Sequence, residues 1–143
     1  MRTPNLADLP APPSGKTGWP WTESSLPEVH SQRDTDYPKI SLVTPSFNQV
    51  NYLEEAIRSV LLQGNSHLEY RVMDGGSQDG SPEVIRKYAP WLDGWASEPD
   101  RGQSHAINKG WAVSSGEIFA YLNSDDLYCP GALFAVARSW RQN

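Results

Sequence analysis

Cysteine is nearly absent: Cys129 is the only one in 143 residues. An intrachain disulfide is therefore excluded, and a thiolate zinc site, which draws on several cysteines or histidines, has no ligand set. That usage fits a reducing cytoplasm. Long apolar runs are also missing. No window approaches the ~20 residues of a membrane-spanning helix, and the opening MRTPNLADLPAPPSGK lacks the apolar stretch of a secretory signal. The expectation is a cytoplasmic protein without a transmembrane segment, compatible with a peripheral place at a membrane. Positive charge is short as well, with 12 Lys and Arg against 17 Asp and Glu and a net charge of −5. Nucleic acids and anionic membranes favour clustered basic residues, so neither is an expected partner.

What is present is unevenly spread. Pro4, Pro10, Pro12, Pro13, Pro20, Pro27 and Pro38 crowd residues 1–38. Proline fixes φ and has no N–H to donate, which disfavours helix and central strand alike, so this arm reads as extended or disordered. Trp19 and Trp21 are its exception, since two indoles in a polar arm are expected to pack on the outer surface of the domain. The length suits one compact domain, whose core must then come from residues 39–143.

From Lys39 onward short apolar runs alternate with amphipathic helices, the pattern of βαβ units in an α/β fold with a mostly parallel sheet. Residues 39–44 (KISLVT) read as the first strand. Asn51 and Glu54 have capping-box spacing, and Tyr52, Leu53, Ala56, Ile57, Val60 and Leu61 mark one face of a helix over 52–62. Residues 69–73 form the second strand. Ser81, Pro82 and Glu83 supply an N-cap, a first-turn proline and a dipole-complementing acid for a second helix, with Val84, Ile85 and Tyr88 inward. A short strand at 94–97 precedes a helix over 103–114, which Gly116 would end with a left-handed cap. Residues 117–122 (EIFAYL) are apolar on both faces, as in a central strand covered by helices on each side. The last helix runs from Pro130 to about Trp140. No internal repeat is visible.

In open α/β sheets ligands bind beyond the carboxyl ends of the strands, and three polar loops follow such ends here. Pro45-Ser46-Phe47-Asn48 joins a rigid turn to an aromatic face, although a plain strand-to-helix turn has the same composition. Asp74-Gly75-Gly76-Ser77-Gln78-Asp79-Gly80 sets a carboxylate after the second strand, then glycines that let a ligand approach the backbone. It has neither the spacing of a dinucleotide-binding glycine loop nor the Lys-Ser/Thr pair of a phosphate loop. Asn123-Ser124-Asp125-Asp126 places two adjacent carboxylates after the fourth strand. Such hard oxygens suit Mg²⁺ or Mn²⁺ bound jointly with phosphates, and the same pair can instead cap the helix that follows. Taken together, the loops offer one place for a base and ribose and another for a diphosphate and metal. His30, His67 and His105 share no metal-binding spacing and read as solvated. Cys129 has no histidine nearby to activate it and reads as a small buried hydrophobe, while Trp91, Trp95 and Trp111 read as packing residues.

The runs SLVTPSFNQVNYLEEAIRSVLLQ, VMDGGSQDGS and SEPDRGQSHAINKGWAVSSGEIFAYLNSDDLY together resemble the family 2 glycosyltransferases over residues 39–135. The resemblance implies a GT-A Rossmann-like α/β/α sandwich, here partial, in which 39–143 form the donor-binding half. It implies a nucleotide-diphosphate sugar as donor, most often a UDP-sugar, and a carbohydrate or lipid-linked acceptor. It further implies that Pro45, Ser46 and Phe47 line the nucleoside pocket, that Asp74 with Gly76 and Ser77 meets the base, and that Asp100 and Arg101 lie near the ribose or sugar. Asn123-Ser124-Asp125-Asp126 looks like the family's DxD region, with Asp125 toward ribose or metal and Asp126 the direct ligand of Mn²⁺ or Mg²⁺. Asn123 and Gly75 depart from acidic residues often found there. Inverting transfer also needs a general base, which the family places well beyond the DxD region. Asp93 and Glu117 do not match it, so no catalytic base is assigned, the chain reads as truncated, and exposed apolar surface is expected near the last helix. A nucleotide-sugar-binding module without catalysis and a doubly wound phosphoacceptor domain are the competing classes.

Overall fold

The computed structural model describes residues 3–24 and 37–142; Pro27 and His30 lie outside them. The elements follow in the order β1 (Ile40–Ser46), α1 (Val50–Leu61), β2 (Leu68–Asp74), α2 (Ser81–Tyr88), a 3-10 turn (Ala89–Trp91), β3 (Gly94–Ser97), α3 (Gln103–Ala112), β4 (Ile118–Tyr121) and α4 (Ala132–Gln142). The strands are all parallel, in the order β3-β2-β1-β4.

Alternation along the strands divides the core into two layers. Ile40 and Leu42 of β1 and Leu68, Tyr70 and Val72 of β2 join a cluster with Leu53, Ile57 and Val60 of α1, Ile85 and Tyr88 of α2, and Leu133 and Phe134 of α4. Val43 and Met73 form a second, smaller cluster with Ala106 of α3. The result is an α/β/α sandwich in which each fully buried Leu or Ile contributes on the order of 1.5–3 kcal/mol. Gln63 ties α4 to α1: its amide donates to the carbonyls of Ser59 (3.0 Å) and Cys129 (2.9 Å) and accepts from the N–H of Leu133 (3.2 Å).

Several local expectations shift. β1 runs on through Pro45 and Ser46, so these belong to the strand and not to the turn after it. Pro45 is tolerated because it lies past Val43, the last β1 residue in register with β4. α1 starts at Val50 with Gln49 as N-cap and no side-chain cap of its own. The Asn51–Glu54 box is not made; instead Asp79 Oδ2, from the loop after β2, accepts the Val50 N–H (3.0 Å). Tyr52 is exposed, while Glu54 turns inward to accept from the Tyr88 hydroxyl and Lys87 Nζ, each at 2.9 Å. The N-cap of α2 is Gly80, and Ser81 is its first residue, donating its hydroxyl to Asp79 Oδ1 (2.6 Å). α3 ends at Ala112, and Gly116 is not left-handed; it lies against β1, its N–H donating to Ser41 Oγ (2.8 Å).

The N-terminal prolines led to the expectation of an extended or disordered arm. Residues 3–24 are turns without helix or strand, but they are packed on α1. The buried Arg58 guanidinium donates to the carbonyls of Pro20 (3.0 Å), Pro10 (2.8 Å) and Trp21 (3.0 Å) and lies over the Trp21 ring. Trp21 is buried and Trp19 half-buried, with its indole N–H on the Tyr128 carbonyl (2.8 Å). Three charge-assisted bonds to one cation hold a segment that proline bars from ladder pairing.

β4 corrects the expectation of a central strand. Among the described residues it is the sheet edge, and Phe119 (45% exposed) and Tyr121 (51%) face outward. Trp111 covers only part of that face, its ring edge-on to Phe119 and its N–H on the Ala120 carbonyl. Val136 and Trp140 of α4 are exposed too, as expected of the last helix. Cys129 is exposed and not buried, because the stretch before α4 runs over the surface.

Candidate functional site

The carboxyl ends of the strands open on one cleft of about 750 Å³. Pro45, Ser46 and Phe47 come to it from β1, Gly75 and Gly76 from the end of β2, and Asp100 from the loop after β3. Asn123, Ser124 and Asp125 bound it beyond β4. Phe47 is 61% exposed, an aromatic face held out to solvent at the rim.

Two of the three loops are stitched together. The Asn48 N–H donates to Ser77 Oγ (2.7 Å), and the Gln78 N–H donates to Asn48 Oδ1 (3.1 Å). Asp79 links both loops, through Val50 on one side and Ser81 on the other. Burial pushes the Asp79 pKa up, but the Ser81 hydroxyl and the Val50 N–H outweigh it and hold the carboxyl below its ordinary value. At the other side Gln103, the first residue of α3, donates its amide to Asn123 Oδ1, joining the helix to the acidic loop. Gly102 at φ 105°, a region closed to most side chains, turns the chain so that the positive end of α3 borders the cleft.

Asp74 is placed differently from the other expected residues. It is buried and does not line the cleft. Its Oδ2 accepts from the N–H groups of Gly76 (3.1 Å) and Ser77 (2.8 Å) and from the Ser97 hydroxyl (2.7 Å), and its Oδ1 accepts from the Ser77 hydroxyl (2.5 Å). Asp74 therefore braces the glycine loop against β3, and Ser77 is engaged on both sides of its hydroxyl. Arg101 is exposed outside the cleft lining, its N–H donating to His105 Nδ1 (3.0 Å).

Asp125 and Asp126 are exposed, in a turn closed by the Asp126 N–H on the Asn123 carbonyl (3.1 Å). Among the described residues no group of three or more His, Cys, Asp or Glu could hold a metal alone. Two exposed carboxylates fit a hard cation that takes its other oxygens from phosphate and water, as Mg²⁺ and Mn²⁺ do. Asp93 and Glu117 precede β3 and β4, at the sheet end opposite the cleft. Gln49, Pro99, Gly102, Gln103 and Ala106 also line the cleft and were missed from sequence. The one usable signal was Gly102-Gln103 at a helix start directly after an Asp-Arg pair.

A parallel α/β/α sheet with a cleft across its carboxyl edge and paired aspartates at one side is the arrangement that this chain shares with GT-A glycosyltransferases of known structure. The chain belongs to glycosyl transferase family 2, whose model matches residues 41–143. An uncharacterized glycosyltransferase of Nostoc sp. is 38% identical over 98 residues, covering 66% of this chain and 30% of the relative. One from Mycobacterium tuberculosis is 36% identical over 95 residues, covering 66% of this chain and 36% of the relative. The chain thus spans about a third of the length of these curated relatives. Among solved structures, the mannosyltransferase PcManGT from Pyrobaculum calidifontis in complex with GDP-Man and Mn²⁺ superposes with a TM-score of 0.67 at 27% identity, over 87% of this chain and 36% of that one. S. aureus TarS shares the fold, with a TM-score of 0.61 at 21% identity, over 73% of this chain and 20% of that one.

Proposed function

We propose that the cleft binds the nucleotide part of a nucleotide-diphosphate sugar together with a divalent cation, as the donor half of a glycosyltransferase acting by inversion on an acceptor hydroxyl. The observation that carries the reading is the convergence of Phe47, the Gly75-Gly76 backbone and Asp125 on one cleft at the sheet's carboxyl edge. Phe47 and Pro45 give a base a flat apolar wall, and the glycines admit a ribose close to the backbone. The positive end of α3 suits an anionic diphosphate. Asp126 and Asp125 would hold Mn²⁺ or Mg²⁺, which when bound stabilises charge on the leaving diphosphate. GDP-Man and Mn²⁺ in the 27% identical mannosyltransferase support this ligand class. The acceptor is a carbohydrate or lipid-linked hydroxyl.

A second reading has its own support. Asp93 and Glu117 sit at the far end of the sheet, and among the described residues no carboxylate lines the cleft apart from those assigned to the donor and metal. The chain then binds a nucleotide sugar without transferring it. Calorimetric titration of UDP and GDP separates both from a phosphoacceptor domain. Binding of one of them in Mn²⁺, weakened at least about tenfold by EDTA and by Asp126→Ala, is expected, tenfold being about 1.4 kcal/mol. A folded chain that binds neither diphosphate contradicts the proposal. Release of sugar to an acceptor by this chain would reject the second reading.

A further inference from the structure

Asp74 cannot offer a free oxygen to a ligand while it holds its loop, because both of its carboxylate oxygens already accept protein hydrogen bonds, four in all. The next residue, Gly75, has no side chain to offer, yet the space where one would begin is filled. A Cβ on Gly75 would lie 3.0 Å from Asp100 Oδ2, 3.2 Å from Oδ1 and 3.3 Å from Cγ. The Asp100 carboxylate thus sits directly over the Gly75 backbone. Gly75 in turn is fixed beside the end of β1, its N–H donating to the Ser46 carbonyl (2.8 Å), one residue before Phe47. Asp100 Oδ1 accepts the Gly102 N–H (2.8 Å), which fixes the carboxylate, and Oδ2 accepts no protein donor among the described residues. Asp100, Gly75, Pro45 and Phe47 all line the cleft, and Asp74 does not.

Resting on the donor-site reading above, we infer that Asp100 is the specificity-determining residue of the cleft, accepting through Oδ2 the ring N–H of the nucleobase from the position that a side chain at residue 75 would otherwise occupy. A carboxylate only accepts. It selects bases with a protonated ring nitrogen beside a carbonyl, uracil through N3–H and guanine through N1–H, and disfavours cytosine, whose N3 is itself an acceptor. Gly75 is part of the device: a side chain there would displace the Asp100 carboxylate.

The test compares UDP, GDP, CDP and N3-methyl-UDP by calorimetry in Mn²⁺, on the wild type and Asp100→Ala. A hydrogen bond to a charged group is among the stronger ones, so the wild type should bind UDP roughly 10- to 100-fold more tightly than CDP or N3-methyl-UDP. If GDP is the preferred diphosphate, N1-methyl-GDP takes the place of the methylated uridine. In Asp100→Ala these ratios should fall to about one, while the diphosphate still binds, because the lost bond concerns the base alone. Wild type that binds nucleotide but is indifferent to methylation, or Asp100→Ala that still discriminates, overturns the assignment alone. Failure of the wild type to bind any of the diphosphates overturns the donor-site reading, and the assignment falls with it.

Discussion

Asp74 and Glu69 lie at opposite ends of β2 and show how much a carboxylate's job depends on its neighbours. Asp74, at the cleft end, braces a loop. Glu69, near the amino end, accepts from Ser41 Oγ (2.6 Å), the Ser115 N–H (2.9 Å) and Arg71 Nη2 (3.0 Å). Burial pushes its pKa up, but the Ser115 N–H, the Ser41 hydroxyl, Arg71 and Lys39 outweigh it and hold the carboxyl down at about 2. A carboxyl depressed on folding stabilises fully above its ordinary value of 4.5 and loses that contribution as pH falls toward 2. Glu69→Gln should therefore lower the melting temperature at pH 7, and its deficit against wild type should shrink steadily between pH 4.5 and 2. A deficit that stays constant across that window would contradict this role. At this scale the sequence was partly legible. That Asp74 follows a strand could be read from the apolar run before it, but its partner Ser97 meets it only through the parallel register of β2 with β3.

Among the elements, helix ends and the N-terminal segment were the hardest to read. Capping-box spacing at Asn51–Glu54 is a local signal, and it lost to Asp79, which reaches Val50 from 29 residues away. A long-range partner of this kind leaves no periodic trace in the sequence. The proline-rich arm misled for the same reason: its composition reports the absence of regular structure, not the absence of packing. Arg58 decides the matter, because its guanidinium faces three arm carbonyls and the Tyr88 hydroxyl (3.1 Å) at once. Replacing it with Leu leaves those acceptors without a donor and should cost about 2–4 kcal/mol. Urea melts should show that loss, and limited proteolysis should show new cleavage within residues 3–24. An arm that stays protected in Arg58→Leu would mean that Trp19 and Trp21 suffice to hold it. Strands and helices themselves were legible, since each apolar run or amphipathic stretch found its element within a few residues.

At the scale of the molecule, the parallel sheet with its site at the carboxyl edge was legible from the alternation of apolar runs and helices. The rank of β4 was not. A strand apolar on both faces reads as central, yet here Phe119 and Tyr121 face outward, on a chain that spans about a third of its curated relatives. The cleft's membership was legible for Pro45, Ser46, Phe47, Gly76 and Asp125 from the loops after strand ends and for Asp100 from the family resemblance alone, while Gln103 entered through the folding of α3 against Asn123. If these residues surround a nucleoside diphosphate, a residue-resolved measurement will show it: amide chemical shifts of the ¹⁵N-labelled chain during titration with UDP or GDP in Mg²⁺. Shifts should concentrate at Phe47, Gly75, Gly76, Asp100, Gln103 and Asp125, with α2 and residues 3–24 unmoved. Saturable shifts centred on α2 or the arm, or none from either nucleotide at millimolar concentration, would contradict it.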